Sequence, residues 1–91
     1  MKKVFINGIE ISSQDSLHEI LKVELELPDY YGKNLDALYD CLTGWVDLPL
    51  IIEWNKYSES KRYLGDYADK VLATLKDVED ELDNFKVIIN Y

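Results

Sequence analysis

Cysteine, histidine and basic residues are all scarce in this 91-residue chain, which has one Cys, one His, and ten Lys and Arg against eighteen Asp and Glu. The lone Cys41 excludes an internal disulfide, and with His18 it leaves no Cys/His spacing that would hold zinc. A reducing, cytoplasmic setting fits that usage. The deficit of bases gives a formal net charge of -8. A surface of that sign repels phosphate backbones and anionic headgroups, so neither nucleic acid nor a membrane surface is expected as a partner, and a basic protein is favoured. Solubility alone also accounts for such a charge. Long apolar runs are missing as well. The N-terminal MKKVFINGIEIS is interrupted at Asn7-Gly8, too early for a signal-peptide core, and nothing approaches membrane-spanning length. The mature chain is therefore expected to start at or near Met1. Gly8, Gly32, Gly44 and Gly65 occur singly, which excludes a glycine-rich phosphate cradle.

What the chain does have is 47% hydrophobic and 12% aromatic residues, enough for a core in a single domain spanning residues 1–91. Three short runs rich in branched and aromatic residues read as strands: Val4 to Ile6, Leu50 to Trp54 and Phe85 to Ile89. Each is almost continuously apolar, which predicts strands covered on both faces. Helical patterns lie between them. Leu17, Ile20, Leu21 and Leu25 recur at helical spacing after Asp15-Ser16, with Ser16 and Glu19 as a capping box and Pro28 closing the segment. Asn34 is a natural N-cap for Leu35 to Thr43, ending at Gly44. Asn55 is placed to cap a short helix reaching Leu64, before Gly65. Asp66 opens the longest pattern, with Val71, Leu72, Leu75, Val78 and Leu82 on one stripe. Strands separated by helices need crossover connections, so the order β-α-α-β-α-α-β predicts a small α/β domain with a three-stranded parallel sheet and helices packed against it.

One of these helices has an uneconomical outer face. At 100 degrees per residue, Leu38, Cys41, Leu42 and Trp45 share an inward arc with Leu35 near its edge, while Asp36, Asp40 and Thr43 fall on the opposite arc, flanked by Tyr39. Asp36 gains from the helix dipole, but Asp40 sits too far along to do so. Like charges one turn apart repel by roughly 0.2–0.5 kcal/mol. No arginine or lysine within the helix pairs with either. A local choice that costs stability without structural return points to function. The last helix repeats the theme, with Thr74, Asp77 and Glu81 opposite the apolar stripe, although a solvated face is the ordinary reading of such a pattern.

Catalysis is a poor fit to these residues. A carboxylate couple needs burial or a specific partner to tune its pKa, and Asp36 and Asp40 are expected on an open face. They also lack the further oxygen ligands of a calcium site. His18 lies next to an apolar stripe and is expected at the surface or its boundary. Cys41 faces inward, where a thiol behaves as a small hydrophobe. No enzyme activity, metal or cofactor is expected; a carboxylate-dependent hydrolase is the weakest reading.

The run LPDYYGKNLDALYDCLTGWVDLPLIIEW, Leu27 to Trp54, resembles the barstar family, intracellular inhibitors of the secreted bacterial ribonuclease barnase. The similarity extends through INGIEISSQDSLHEILKVELELP and the terminal VIIN, covering nearly the whole chain, and YYGKNLDALYDCLTGW is long and specific. The resemblance implies a parallel three-stranded sheet, and a 1:1 complex in which the Asn34 helix and the loop before it plug the active site of a basic extracellular ribonuclease. The free protein would be a monomer. By position, Asp40 would enter the phosphate pocket, where arginines grip a carboxylate through two parallel hydrogen bonds. Asp36 would meet a further arginine, and Tyr30 would stack on the catalytic histidine. Gly32, Asn34, Leu35, Tyr39, Thr43, Gly44 and Trp45 would complete the patch, with Thr74 and Asp77 as a second contact from the last helix. Opposed charges across the interface of that family steer the encounter, so the resemblance implies association that is faster at low salt. Tyr39, Thr74 and Asp77 replace a tryptophan, a valine and a glutamate of the family, and the family's second cysteine is absent. The match at Leu48-Pro49 implies a cis peptide. An acidic interaction module for some other basic protein, without ribonuclease inhibition, is the alternative.

Overall fold

A parallel sheet runs through the computed structural model, which describes residues 2–91. The strands are β1 (Lys2–Asn7), β2 (Leu50–Asn55) and β3 (Phe85–Ile89), hydrogen-bonded in the order β1-β2-β3 and all parallel. A 3-10 turn (Gly8–Glu10) and helices α1 (Gln14–Glu24) and α2 (Leu35–Gly44) join β1 to β2, and α3 (Tyr57–Leu64) and α4 (Asp66–Glu81) join β2 to β3. The expected element order and parallel sheet are both present. Register aligns Val4 with Ile52 and Val87, and Ile6 with Trp54 and Ile89. That row of inward side chains meets Leu17, Leu21, Leu38, Leu42, Val71, Leu75 and Val78 from the helices in one core.

The strands are not covered on both faces as expected. Burial alternates along β1 and β3, and the outward Phe5 is 54% exposed. Branched and aromatic residues at Phe5, Ile51 and Ile88 keep the runs apolar on a half-wet face and so hide the period of two. Lys3 covers part of that face, pairing with Glu53 at 3.0 Å while its ammonium lies 5.2 Å from the Phe5 ring.

Two helix starts also differ from expectation. In α1 the capping box is one turn earlier than Ser16/Glu19: Ser13 is the N-cap, the Ser16 amide donates to Ser13 Oγ at 3.1 Å, and the Ser13 amide donates to Ser16 Oγ at 3.0 Å. A serine hydroxyl does here what the long carboxylate of Glu19 was expected to do. In α3 the cap is not Asn55, which belongs to β2 and accepts from Asn90 Nδ2 at 2.7 Å. Lys56 turns the chain instead, with φ of 57° and no side-chain cap bond. The junction is closely approached: a Cβ on Gly8 would lie 2.2 Å from the Lys56 carbonyl oxygen and 2.5 Å from that of Asn55. Glycine at position 8 is what lets the 3-10 turn pack against this junction.

His18 is buried, not at the surface or its boundary as expected. Only 1% of it is exposed, and its ring bridges two phenols, Nδ1 to Tyr31 Oη at 2.6 Å and Nε2 to Tyr67 Oη at 2.7 Å. Burial pulls its pKa below the usual histidine value, with the Asp15 charge opposing. The bridge ties α1 and α4 to the loop that precedes α2. Among the described residues no buried side-chain polar atom lacks a partner. The Leu48-Pro49 peptide is cis.

Candidate functional site

The loop ahead of α2 alternates anchored and presented side chains. Tyr31 is buried against His18, whereas its neighbour Tyr30 is 80% exposed. Lys33 then adopts the left-handed conformation, with φ of 53°, and aims the chain into the helix. Asn34 caps it, accepting from the Ala37 amide at 2.8 Å while its own amide donates to the Gly32 carbonyl at 3.2 Å. A side chain at Gly32 would press on Ala37 Cβ and Asn34 Nδ2, both at 3.3 Å. Small size at that position keeps the cap in place.

Along α2, Leu38 and Leu42 are fully buried, Cys41 and Leu35 are half-buried, and Asp36, Asp40 and Thr43 are exposed together on the outer side. The helix runs one residue past the expected end, through Gly44, which is exposed. Trp45 departs from the inward arc. It lies beyond the last helical residue, so the 100-degree arithmetic no longer applies, and it is 50% exposed. Its indole N–H donates to the Glu26 carbonyl at 3.0 Å, and its ring meets Tyr30 edge-on with centroids 6.2 Å apart. Tyr30 and Trp45 thus form an exposed aromatic pair at one end of the acidic ridge.

At the other side, α2 packs on α4. Tyr39, half-buried in that seam, donates its hydroxyl to the Glu81 carboxylate. The bond to Glu81 pushes the Tyr39 phenol above its usual pKa, with lesser contributions from burial and from the charges of Glu81, Asp77 and Asp40. That bond joins α2 to the last residue of α4. Thr74 is half-buried and bonded back to the Lys70 carbonyl at 3.0 Å, and Asp77 is exposed. Thr43 likewise donates to the Tyr39 carbonyl at 2.8 Å.

Among the described residues no lysine, arginine or histidine forms an ion pair with Asp36, Asp40 or Asp77. The nearest loop cation, Lys33, is held by Glu19, and Lys76 on α4 is 3.5 Å from Glu79. Asp36, Asp40 and Asp77 are thus each exposed without a paired cation. A hollow of about 420 Å³ opens beside the start of α2, between Lys33, Asp36 and Tyr67. No group of three or more metal-ligating side chains occurs among the described residues, and no helix is long and apolar enough to cross a membrane. Burial pushes the Cys41 thiol up, away from the reactive thiolate.

Sequence reasoning placed Asp36, Asp40 and Thr43 together, and the structure does the same. It missed the Tyr39–Glu81 bond and the Lys33–Glu19 pair, which depend on how helices lie against one another. The only signal was that Asp77 and Glu81, one turn apart on α4, repeat the spacing of Asp36 and Asp40.

Comparison with known proteins adds two findings. The family described as Barstar (barnase inhibitor) matches residues 1–90. The chain is also similar to the Bacillus subtilis (strain 168) protein named "Putative ribonuclease inhibitor YrdF", at 50% identity over 90 residues, covering 98% of this chain and 99% of that protein.

Proposed function

The chain belongs to the barstar family, and from that premise we propose that it inhibits a barnase-type ribonuclease by 1:1 binding, with α2 and the preceding loop filling the enzyme's active site. The observation that carries this reading is the exposed, unpaired Asp36 and Asp40 one turn apart on α2. An RNA-cleaving cleft is concave and cationic because it must neutralise phosphates. A helix rises 1.5 Å per residue, so Asp36 and Asp40 stand about 6 Å apart along the axis on one convex face, where a single cationic cleft can meet both. Arginine grips each carboxylate by two parallel hydrogen bonds, as it grips phosphate.

The free protein carries these charges at a small loss of stability, which the cationic cleft relieves on binding. Tyr30 and Trp45 add rigid aromatic area beside the charges, the kind of anchor that carries interface energy at low entropic cost. Purified protein titrated into a barnase-type ribonuclease, with RNA cleavage followed, tests the proposal. Cleavage falling to zero at one equivalent supports it. Unaltered cleavage favours an acidic module for another basic protein, and RNA turnover by the protein alone would indicate a hydrolase.

A further inference from the structure

We propose that the groove between α3 and α4 is a small-molecule site, which takes a planar nitrogen heterocycle carrying one anionic group. None of the residues that line it belongs to α2 or to the loop before it, so the site stands apart from the ribonuclease-binding surface. Its volume of about 490 Å³ falls in the range that encloses a ligand the size of a mononucleotide.

Three features of the lining select that chemistry. The first is aromatic area: Tyr57, Leu72 and Tyr91 line the groove, and the Tyr57 ring stands edge-on between Trp54, with centroids 4.9 Å apart, and Tyr91, at 5.5 Å. The Tyr57 amide donates to the Asn90 carbonyl at 3.0 Å, which fixes the chain beside Tyr91 against the start of α3. Tyr91 itself is 75% exposed, so its ring has area free for stacking. The second is a set of acceptors. Tyr57 is 4% exposed, and its hydroxyl donates to one oxygen of Asp69 at 2.6 Å while Lys61 donates to the other at 2.8 Å. A phenol accepts as well as donates, and among the described residues nothing donates to Tyr57 Oη. The Asp69 carboxylate, with about four lone-pair sites, keeps acceptor capacity too.

The third feature is charge of the less common sign. In a chain of net charge -8, the groove is lined by two cations, Lys61 and Arg62, against the single carboxylate of Asp69. Arg62 is held only by a pair with Glu59 at 3.3 Å on a side chain 70% exposed, an interaction of little worth in water, so its guanidinium is free to turn onto a phosphate or carboxylate. A purely apolar ligand would leave Arg62 and the Tyr57 oxygen unused, and a bare anion would gain nothing from the tyrosines. A flat ring with an N–H at its edge and one anionic group satisfies all three features at once: the ring stacks on Tyr91, the N–H meets the Tyr57 and Asp69 oxygens, and the anion meets Arg62.

Nuclear magnetic resonance of the full chain, titrated separately with guanosine monophosphate and with indoleacetate, tests the site. Saturable shifts of the Tyr57 and Tyr91 amides are expected, and the probe that binds more tightly identifies the anion as phosphate or carboxylate. Arg62→Gln should weaken that binding roughly tenfold and Tyr91→Ala roughly fivefold, and both side chains are exposed enough that the variants keep the wild-type fold. Naphthoate, which offers a ring and an anion without an N–H, should bind several-fold more weakly than the better probe. The proposal is overturned by the absence of saturable shifts at millimolar concentration of either probe, by shifts that inorganic phosphate alone reproduces, by binding that ignores both variants, or by naphthoate binding as well as the better probe. Ribonuclease inhibition, present or absent, bears on none of these results.

Discussion

Replacing His18 with leucine removes the bridge that holds the loop before α2 to the body of the protein. The ring joins Tyr31 at 2.6 Å and Tyr67 at 2.7 Å and is almost wholly buried. Leucine fills a comparable space but bonds neither phenol. The Tyr31 hydroxyl, buried and unable to reach water, then carries the penalty of an unsatisfied group, about 1–3 kcal/mol, and loss of the bond to the half-buried Tyr67 adds about 1 kcal/mol. The expected loss is about 2–4 kcal/mol in urea unfolding at pH 8.

The same substitution should remove a segment of pH dependence. Burial lowers the folded-state pKa of His18 below its unfolded value near 6.5. In the window between those two values the unfolded chain binds more protons, so stability rises with pH there, is complete above about 6.5, and is lost as pH falls below it. A neutral imidazole donates from one nitrogen and accepts at the other, whereas the protonated ring donates from both, so the phenol that had donated must find another acceptor. Wild-type stability measured by urea melts between pH 8 and pH 5 should therefore fall, and that of His18→Leu should fall less. Parallel curves for the two proteins would refute the assignment of a neutral, bridging His18.

Asp36→Asn relieves the repulsion with Asp40, roughly 0.2–0.5 kcal/mol, and gives up a dipole interaction of similar size, so thermal melts should move little while affinity for the enzyme drops. Gly8→Ala forces a methyl onto the Lys56 and Asn55 carbonyls and should cost about 2–3 kcal/mol in chemical denaturation, with the outer face of α2 untouched. Association with the enzyme, measured by stopped flow, should slow as salt rises from physiological strength, where screening acts over about 8 Å, to 1 M, where it acts over about 3 Å. A rate indifferent to salt would contradict an interface built on Asp36 and Asp40.

Much of this architecture was legible in the sequence because it is local. Phe85 to Ile89 is a strand of five apolar or amphipathic residues between polar neighbours, and β3 has those bounds. Asn34 announces α2 by side-chain chemistry that depends on three residues of backbone, and the outward grouping of Asp36 with Asp40 follows from the helical repeat alone. Most of what failed depended on distant chain. His18 was misjudged because its two partners are 13 and 49 residues away and only the fold brings them together. Trp45 was misjudged because helical periodicity has no meaning one residue past the helix. The α3 start was misjudged because Asn55 is taken up by β2 and by a bond from Asn90, 35 residues away in sequence. Within the candidate site, the charges on α2 were visible and the Tyr39–Glu81 bond was not, since a seam between two helices leaves no periodic mark on either.

The most direct measurement is a paired titration of a barnase-type ribonuclease with wild-type protein and with Asp40→Ala, taking the exposed Arg62→Ala on α3 as control. Removing a carboxylate that sits desolvated among the enzyme's cations leaves those cations unpaired, so Asp40→Ala should bind roughly a hundredfold or more weakly while Arg62→Ala binds as wild type. Equal affinity of Asp40→Ala and wild type would show that the enzyme is met by some other surface, and the account of α2 as a stand-in for RNA phosphates would be wrong.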